Sequence, residues 1–435
     1  MKITEITKCR VCGNTDLIKI MDLGLQPLSG IFPKVEENDP PSAPLILVKC
    51  NNQTNAKYCG LVQLKHSVDP EDMFQGGDYG YRSGLNQTMT THLESITEDI
   101  MRRVRLNDKD IVVDIGSNDG TLLKSYTKHI QIIGGYPRIR RCGIDPGGKQ
   151  YKKYYPSDIA LIPEFFPSET FKITYKGEKA KVITSIAMFY DLEDPMVFVK
   201  NIKETLHPDG MWVLEQSYLP TMLTNNSFDT ICHEHLEYYA LAQIEWMCIK
   251  NGLKIIDVVM NNINGGSFRC YVAHTNSPHT VNTDILTVVH QHEDAIKLNT
   301  TKPFKAFVVS VLNIKEHLKN FIRTEKHKGK KIYVYGASTK GNILLNYFDL
   351  DVNFITAAAD RNPDKWIRKT PGTHIPIISE EQARIDKPDY FLVLPWHFKK
   401  EFINREKEYL ESGGKFIFPL PNFEIVGAIK YGKEE

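Results

Sequence analysis

Between residues 110 and 275 the chain alternates short apolar runs with helix-compatible stretches, and this grammar restricts the fold more than any other feature. The runs IVVDIG, RCGIDP, KVITSIA, MWVLEQS, KIIDVVM and FRCYVAH are strand-length and are bounded by Gly, Pro, Asp or Asn. Helices between parallel strands cover both faces of a sheet, so the pattern predicts a doubly wound α/β domain. From Lys331 the grammar restarts with KIYVYGAS, FITAAAD, DYFLVLP and KFIFPLP. The segments VVDIGSNDGTLL and YVYGASTKGNILL are weakly alike and suggest a duplicated plan. A lead-in helix is expected over about Thr88–Leu106, with Met89, Leu93, Ile96, Ile100 and Val104 on one stripe. A connecting helix is expected over 300–325. The predicted class is α/β, with two Rossmann-like doubly wound domains in series behind a small N-terminal zinc-binding module. The expected boundaries are 1–75, 76–285 and 286–435.

Composition closes off other classes. The net charge is +1 over 435 residues, which gives no electrostatic reason for a nucleic acid or membrane partner. No apolar run approaches the ~20 residues of a membrane helix, and MKITEITKCRVCG is no signal peptide. A cytoplasmic location is expected, and whether the chain is a monomer or a homo-oligomer stays open.

Four of the eight cysteines (Cys9, Cys12, Cys50 and Cys59) lie in the first module, which is too small to bury much core. Cys9-x-x-Cys12-Gly lets two thiolates face one tetrahedral ion, and Cys50 with Cys59 forms a second half-site around the insertion Asn51–Tyr58. The alternative is four unpaired structural thiols. Four thiolates leave no open coordination position, so the expected zinc is structural.

In Val112–Thr121 an acid-x-Gly-x-x-x-Gly pattern follows a strand and opens a helix. It lacks the GxGxxG of pyrophosphate binders, which favours a cationic ligand. The candidate cofactor contacts are Asp114, Gly116, Ser117 and Asn118, with Asp145 and Pro146 at the end of the second strand, where a ribose diol is held. Ile162–Phe166 is a candidate adenine wall, and Met188 and Phe189 stand after the fourth strand. In order, these pieces resemble the S-adenosylmethionine site of class I methyltransferases. Asp114 as a cap and Asp145 as a plain turn residue are the alternatives.

The segment Phe228–Tyr239 holds His233-Glu234-His235. Histidines two apart do not make the HExxH zinc site, but Glu beside His at a strand rim suits proton abstraction. A capped helix start is the alternative. In the last domain Gly336–Asn342 reads as a helix N-terminus for an anion, with Lys340 adding charge for a diphosphate. Asn342 in the same motif, and Trp396 and His397 at another strand end, are further substrate candidates. A degenerate duplicate that only completes the cleft is the alternative.

CxxCG, YxYRSG, DIGSNDG, GIDP, HEHLEYY, NGGSFR, GASTKGN, ADRNPDKW, PGTHIPI and LVLPWHFKKE occur in this order from Cys9 to Pro421. The set resembles the sugar C-methyltransferases that methylate nucleotide-linked 4-keto sugars beside the ketone. The resemblance implies a zinc module, a central S-adenosylmethionine domain and a C-terminal α/β domain. It also implies a base that forms an enolate, which then attacks the methyl group in line. Carried over, His235 is the base and Glu234 its neighbour. Cys232 stands where the family often has a tyrosine, so the enolate-oxygen donor is open, with Tyr79 or Tyr81 as candidates. O- or N-methylation, a nicotinamide-dependent reductase and a non-catalytic nucleotide-binding scaffold are the competing readings.

Overall fold

The structure is a computed structural model; it describes residues 1–53, 55–69, 73, 82–132 and 138–428. Its centre is a seven-stranded sheet. The strand order is Leu253–Asn261, Ser267–His274, Leu206–Ser217, Ala180–Ile186, Ile111–Ile115, Arg140–Ile144, Ile159–Ile162. From Leu206–Ser217 onward neighbouring strands run parallel, whereas Ser267–His274 is antiparallel to both of its neighbours. All five residues of Ile111–Ile115 are buried, as a central parallel strand covered on two faces requires.

The helix Gln87–Arg103 starts at Asn86, whose side chain accepts from the amides of Thr88 and Met89. Its stripe of Leu93, Ile96 and Ile100 packs against Leu122, Leu123, Val213 and Tyr271. The helix Thr283–Ile296 also belongs to this body: Val289 joins its core, and the Glu293 carboxylate accepts from the Tyr218 hydroxyl at 2.8 Å. The boundary expected at residue 285 therefore moves beyond Ile296, because apolar burial holds that helix to the central sheet.

A six-stranded sheet follows in the order Ile377–Ser379, Ala357–Asp360, Ile332–Tyr335, Tyr390–Val393, Lys415–Phe418, Glu424–Val426. Numbered along the chain this is 3-2-1-4-5-6, the doubly wound order, with only the last strand antiparallel. The two edge strands have three residues each and carry too little apolar pattern to read from sequence. In both sheets the first strand ends on a glycine of positive φ, Gly116 at +71° and Gly336 at +85°. A Cβ on Gly116 would lie 3.0 Å from the Met188 side chain, and one on Gly336 2.6 Å from Pro395.

The small N-terminal module forms an antiparallel sheet. Leu17–Pro27, Ser42–Cys50 and Val62–Leu64 pair in turn, and the fourth strand is Glu237–Tyr238, which follows directly on the His-Glu-His segment. Met21, Leu45, Leu47 and Val62 share one core with Leu236, with the helix Lys302–His327 and with the six-stranded sheet. The module escapes the limit of its size by burying its face against the rest of the molecule. Among the described residues no helix is long and apolar enough to cross a membrane.

Candidate active site

A cavity of about 300 Å³ opens at the carboxyl ends of the central strands, where doubly wound sheets hold their ligands. Asp114, Gly116, Ser117, Asn118, Asp145, Pro146 and Met188 all line it. Asp145 accepts from the amides of Asn118 (2.7 Å) and Gly147 (2.8 Å), which fixes both carboxylate oxygens. Asp114 is buried and accepts from the Thr184 hydroxyl at 2.6 Å, and burial pushes its carboxyl up to about 7. Phe165 and Phe166 supply the apolar wall expected there. Phe189 does not reach the cavity. Its ring is fully buried and packs edge-on against Phe198 and Trp212, so a cofactor contact is replaced by core packing. The lead-in segment closes one side: the Ser83 amide donates to Asn118 Oδ1 at 3.0 Å, and the Gly84 amide to Asp119 Oδ2 at 3.1 Å. Tyr79 and Tyr81 lie outside the described residues.

His235 lines a smaller hollow beside this cavity, together with Tyr190, Ser217 and Thr230. Neighbours in the chain line the two spaces: Glu215 and Gln216 the cavity and Ser217 the hollow, Asp191 the cavity and Tyr190 the hollow. The His235 ring stands edge-on to Tyr190 with centroids 4.3 Å apart. Its Nδ1 lies 2.9 Å from the Thr230 carbonyl, and only a protonated nitrogen can donate there. That assigns the tautomer and leaves Nε2 as the bare nitrogen, with no hydrogen-bond partner among the described residues. Burial and the charge of Lys340 lower the imidazole to about 3, so it is neutral at pH 7.

Glu234 is buried, its carboxyl is raised by that burial, and its Oε2 has no partner. A Cβ on Gly30 would come within 2.7 Å of Glu234 Oε1, so the glycine makes room for the carboxyl. His233 points the other way and its Nε2 lies 3.1 Å from the Ala43 carbonyl, tying the segment to the N-terminal sheet. Leu236 donates its amide to the Tyr190 carbonyl at 2.7 Å, while its carbonyl accepts from Leu64 at 2.8 Å. The triplet is thus clamped from both sides.

The sulfurs of Cys9, Cys12, Cys50 and Cys59 all lie within 4.8 Å of one another, with Cys9–Cys59 at 3.6 Å and Cys12–Cys50 at 3.5 Å. A zinc tetrahedron with bonds of about 2.3 Å spaces its sulfurs by about 3.8 Å, so the donor set fits. The Asn14 amide donates to Cys50 Sγ at 3.4 Å, the kind of outer contact that orients a ligand sulfur.

Three family models match the chain. A candidate zinc binding domain matches residues 9–74, a methyltransferase domain 89–258, and a C-methyltransferase C-terminal domain 262–421. C-methyltransferase NovU of Streptomyces niveus is 29% identical over 429 residues, 98% of each chain. The chain is a methyltransferase, similar along its whole length to a C-methyltransferase. An uncharacterized methyltransferase of Schizosaccharomyces pombe, C70.08c, is 24% identical over 152 residues, 34% of this chain and 52% of that one. Among solved structures, mitomycin 7-O-methyltransferase MmcR aligns with a TM-score of 0.35 and 12% identity over 47% of this chain and 58% of that one.

In this methyltransferase the strand-end motifs of the C-terminal sheet face the His-Glu-His segment. The charge of Lys340 acts on His235, Asp229 and His397, so these groups meet at one junction. Lys340 has no hydrogen-bond or ion-pair partner among the described residues. Two substrate expectations are corrected. Asn342 is fully buried and donates to the Ser29 carbonyl at 2.8 Å. Trp396 is buried against the Gly265 backbone and donates to Asp229 Oδ2 at 3.1 Å. Both join parts of the protein, and only the Asn342 Oδ1 is left without a partner. Glu215, Gln216 and Asp191 in the cavity wall were not singled out from sequence, although Glu215 and Gln216 stand at a strand end, which is a usable signal.

Proposed function

We propose that this enzyme transfers a methyl group from S-adenosylmethionine to the carbon beside the ketone of a nucleotide-linked 4-keto sugar. The observation that carries the reading is the His235 ring: its Nδ1 is anchored on the Thr230 carbonyl, its Nε2 is bare, and the hollow it lines is walled by Tyr190 and Ser217, each next in the chain to a residue in the wall of the larger cavity. Asp145 is the ribose anchor, Phe165 and Phe166 wall the adenine, and the cavity size suits a small cofactor. Bound there, S-adenosylmethionine supplies a methyl group as an electrophile. His235 Nε2 takes the proton from the carbon made acidic by the ketone, and the C–H electron pair becomes the enolate that accepts the methyl. Glu234 beside it is a further site group. Lys340, partnerless at the junction, meets the diphosphate, and His397 lies within its field. The zinc is structural and fixes the sheet that carries the catalytic segment.

Incubation with S-adenosylmethionine and a panel of nucleotide 4-keto sugars should give a product heavier by one methylene unit. In heavy water without the methyl donor, the substrate should gain deuterium beside the ketone. A product methylated on oxygen or nitrogen, with no exchange, would overturn the carbon assignment.

A further inference from the structure

Gln216 is only 2% exposed, yet neither its Nε2 nor its Oε1 has a hydrogen-bond partner in the protein. Buried primary amides are ordinarily satisfied, and leaving one bare costs stability. The exception needs a physical reason, and its position supplies one. Gln216 lines the large cavity, while Ser217, next in the chain, lines the hollow that holds His235. The two segments are also bonded to each other: Leu219 donates its amide to the Tyr239 carbonyl at 2.9 Å. Gln216 therefore faces the larger cavity one residue before the chain enters the wall of the His235 hollow.

Forming an enolate moves charge onto the ketone oxygen, and a preplaced donor aimed at that oxygen lowers the barrier. Cys232 does not serve as this donor, because its thiol is engaged with the Glu234 carboxyl. Resting on the proposed sugar methylation, we propose that Gln216 is the catalytic donor, its Nε2 hydrogen-bonding to the oxygen that becomes the enolate oxyanion. Its Oε1 then accepts from a neighbouring sugar hydroxyl, so one side chain selects a ketone flanked by a hydroxyl.

The test is Gln216→Leu, with Gln216→Glu as a variant of nearly the same shape that lacks the NH₂ donor. Both should lose about 10²- to 10³-fold in deuterium exchange beside the ketone and in methyl transfer. The loss should fall on kcat, and the calorimetric Kd for S-adenosylmethionine should stay within about threefold of wild type. Gln216→Leu should melt no lower than wild type, since it removes an unsatisfied amide. Exchange within about threefold of wild type in either variant would overturn the assignment, as would a tenfold loss of cofactor affinity with exchange intact. If the wild-type enzyme neither exchanges nor methylates any 4-keto sugar, the function itself fails, and this inference falls with it.

Discussion

At the scale of single residues, the proposed mechanism turns on the charge state of His235. A base must be unprotonated before it can act, and burial beside Lys340 keeps this one neutral far below the usual histidine pKa of about 6.5. The kcat/KM profile for methyl transfer should therefore run flat down to about pH 5 instead of falling near 6.5. Lys340→Met removes a positive charge that disfavours the imidazolium, so the acid limb should move upward, and KM for the diphosphate substrate should rise with it. A profile unchanged in the variant would separate the two groups. His235→Asn should cut methyl transfer by about 10²- to 10⁴-fold while calorimetry still records cofactor binding. The triplet, Asp145 and Lys340 were legible as residues because their spacing and strand-end placement are local. The orphaned Gln216 was not, since an unsatisfied amide exists only once the surrounding chain has excluded other partners.

At the scale of elements, the two-residue strand Glu237–Tyr238 links the thiol cluster to the His-Glu-His segment. It pairs with Val62–Leu64, which pairs with Ser42–Cys50, the strand that ends on a zinc-ligand candidate. Metal analysis of the purified enzyme should find about one zinc per chain. Stripping it with a chelator should loosen this sheet, release the His-Glu-His segment and abolish methyl transfer. The cofactor cavity is built on the central strands, so binding of S-adenosylmethionine should survive; its simultaneous loss would show that the zinc module supports more than the catalytic segment. The long strands were readable from their apolar runs. A two-residue strand has no periodicity to read, and its partner lies about 170 residues away in sequence.

For the whole molecule, a few side-chain contacts hold the C-terminal domain against the central one. Trp396 is a pin of that junction, with its ring on Gly265 and its indole nitrogen on Asp229. Trp396→Phe keeps an aromatic ring but strands a buried carboxyl, whose pKa burial already raises. The expected cost is about 1–3 kcal/mol, read as a lower denaturant midpoint, with a rise in KM for the sugar nucleotide larger than any change in cofactor Kd. An unchanged midpoint would remove Trp396 from the junction.

The amino-acid sequence by itself determined the two alternating α/β patterns, the thiol quartet and the order of the strand-end motifs. Each is written in neighbouring residues, through apolar periodicity, glycine turns and metal-ligand spacing. Only the tertiary structure decided that the N-terminal sheet borrows its last strand from the stretch after the His-Glu-His segment, that Trp396 and Asn342 bind protein, and that Gln216 is left bare. Those outcomes depend on which distant surfaces compete for the same burial and the same hydrogen bonds, and that competition is settled only when the whole chain packs.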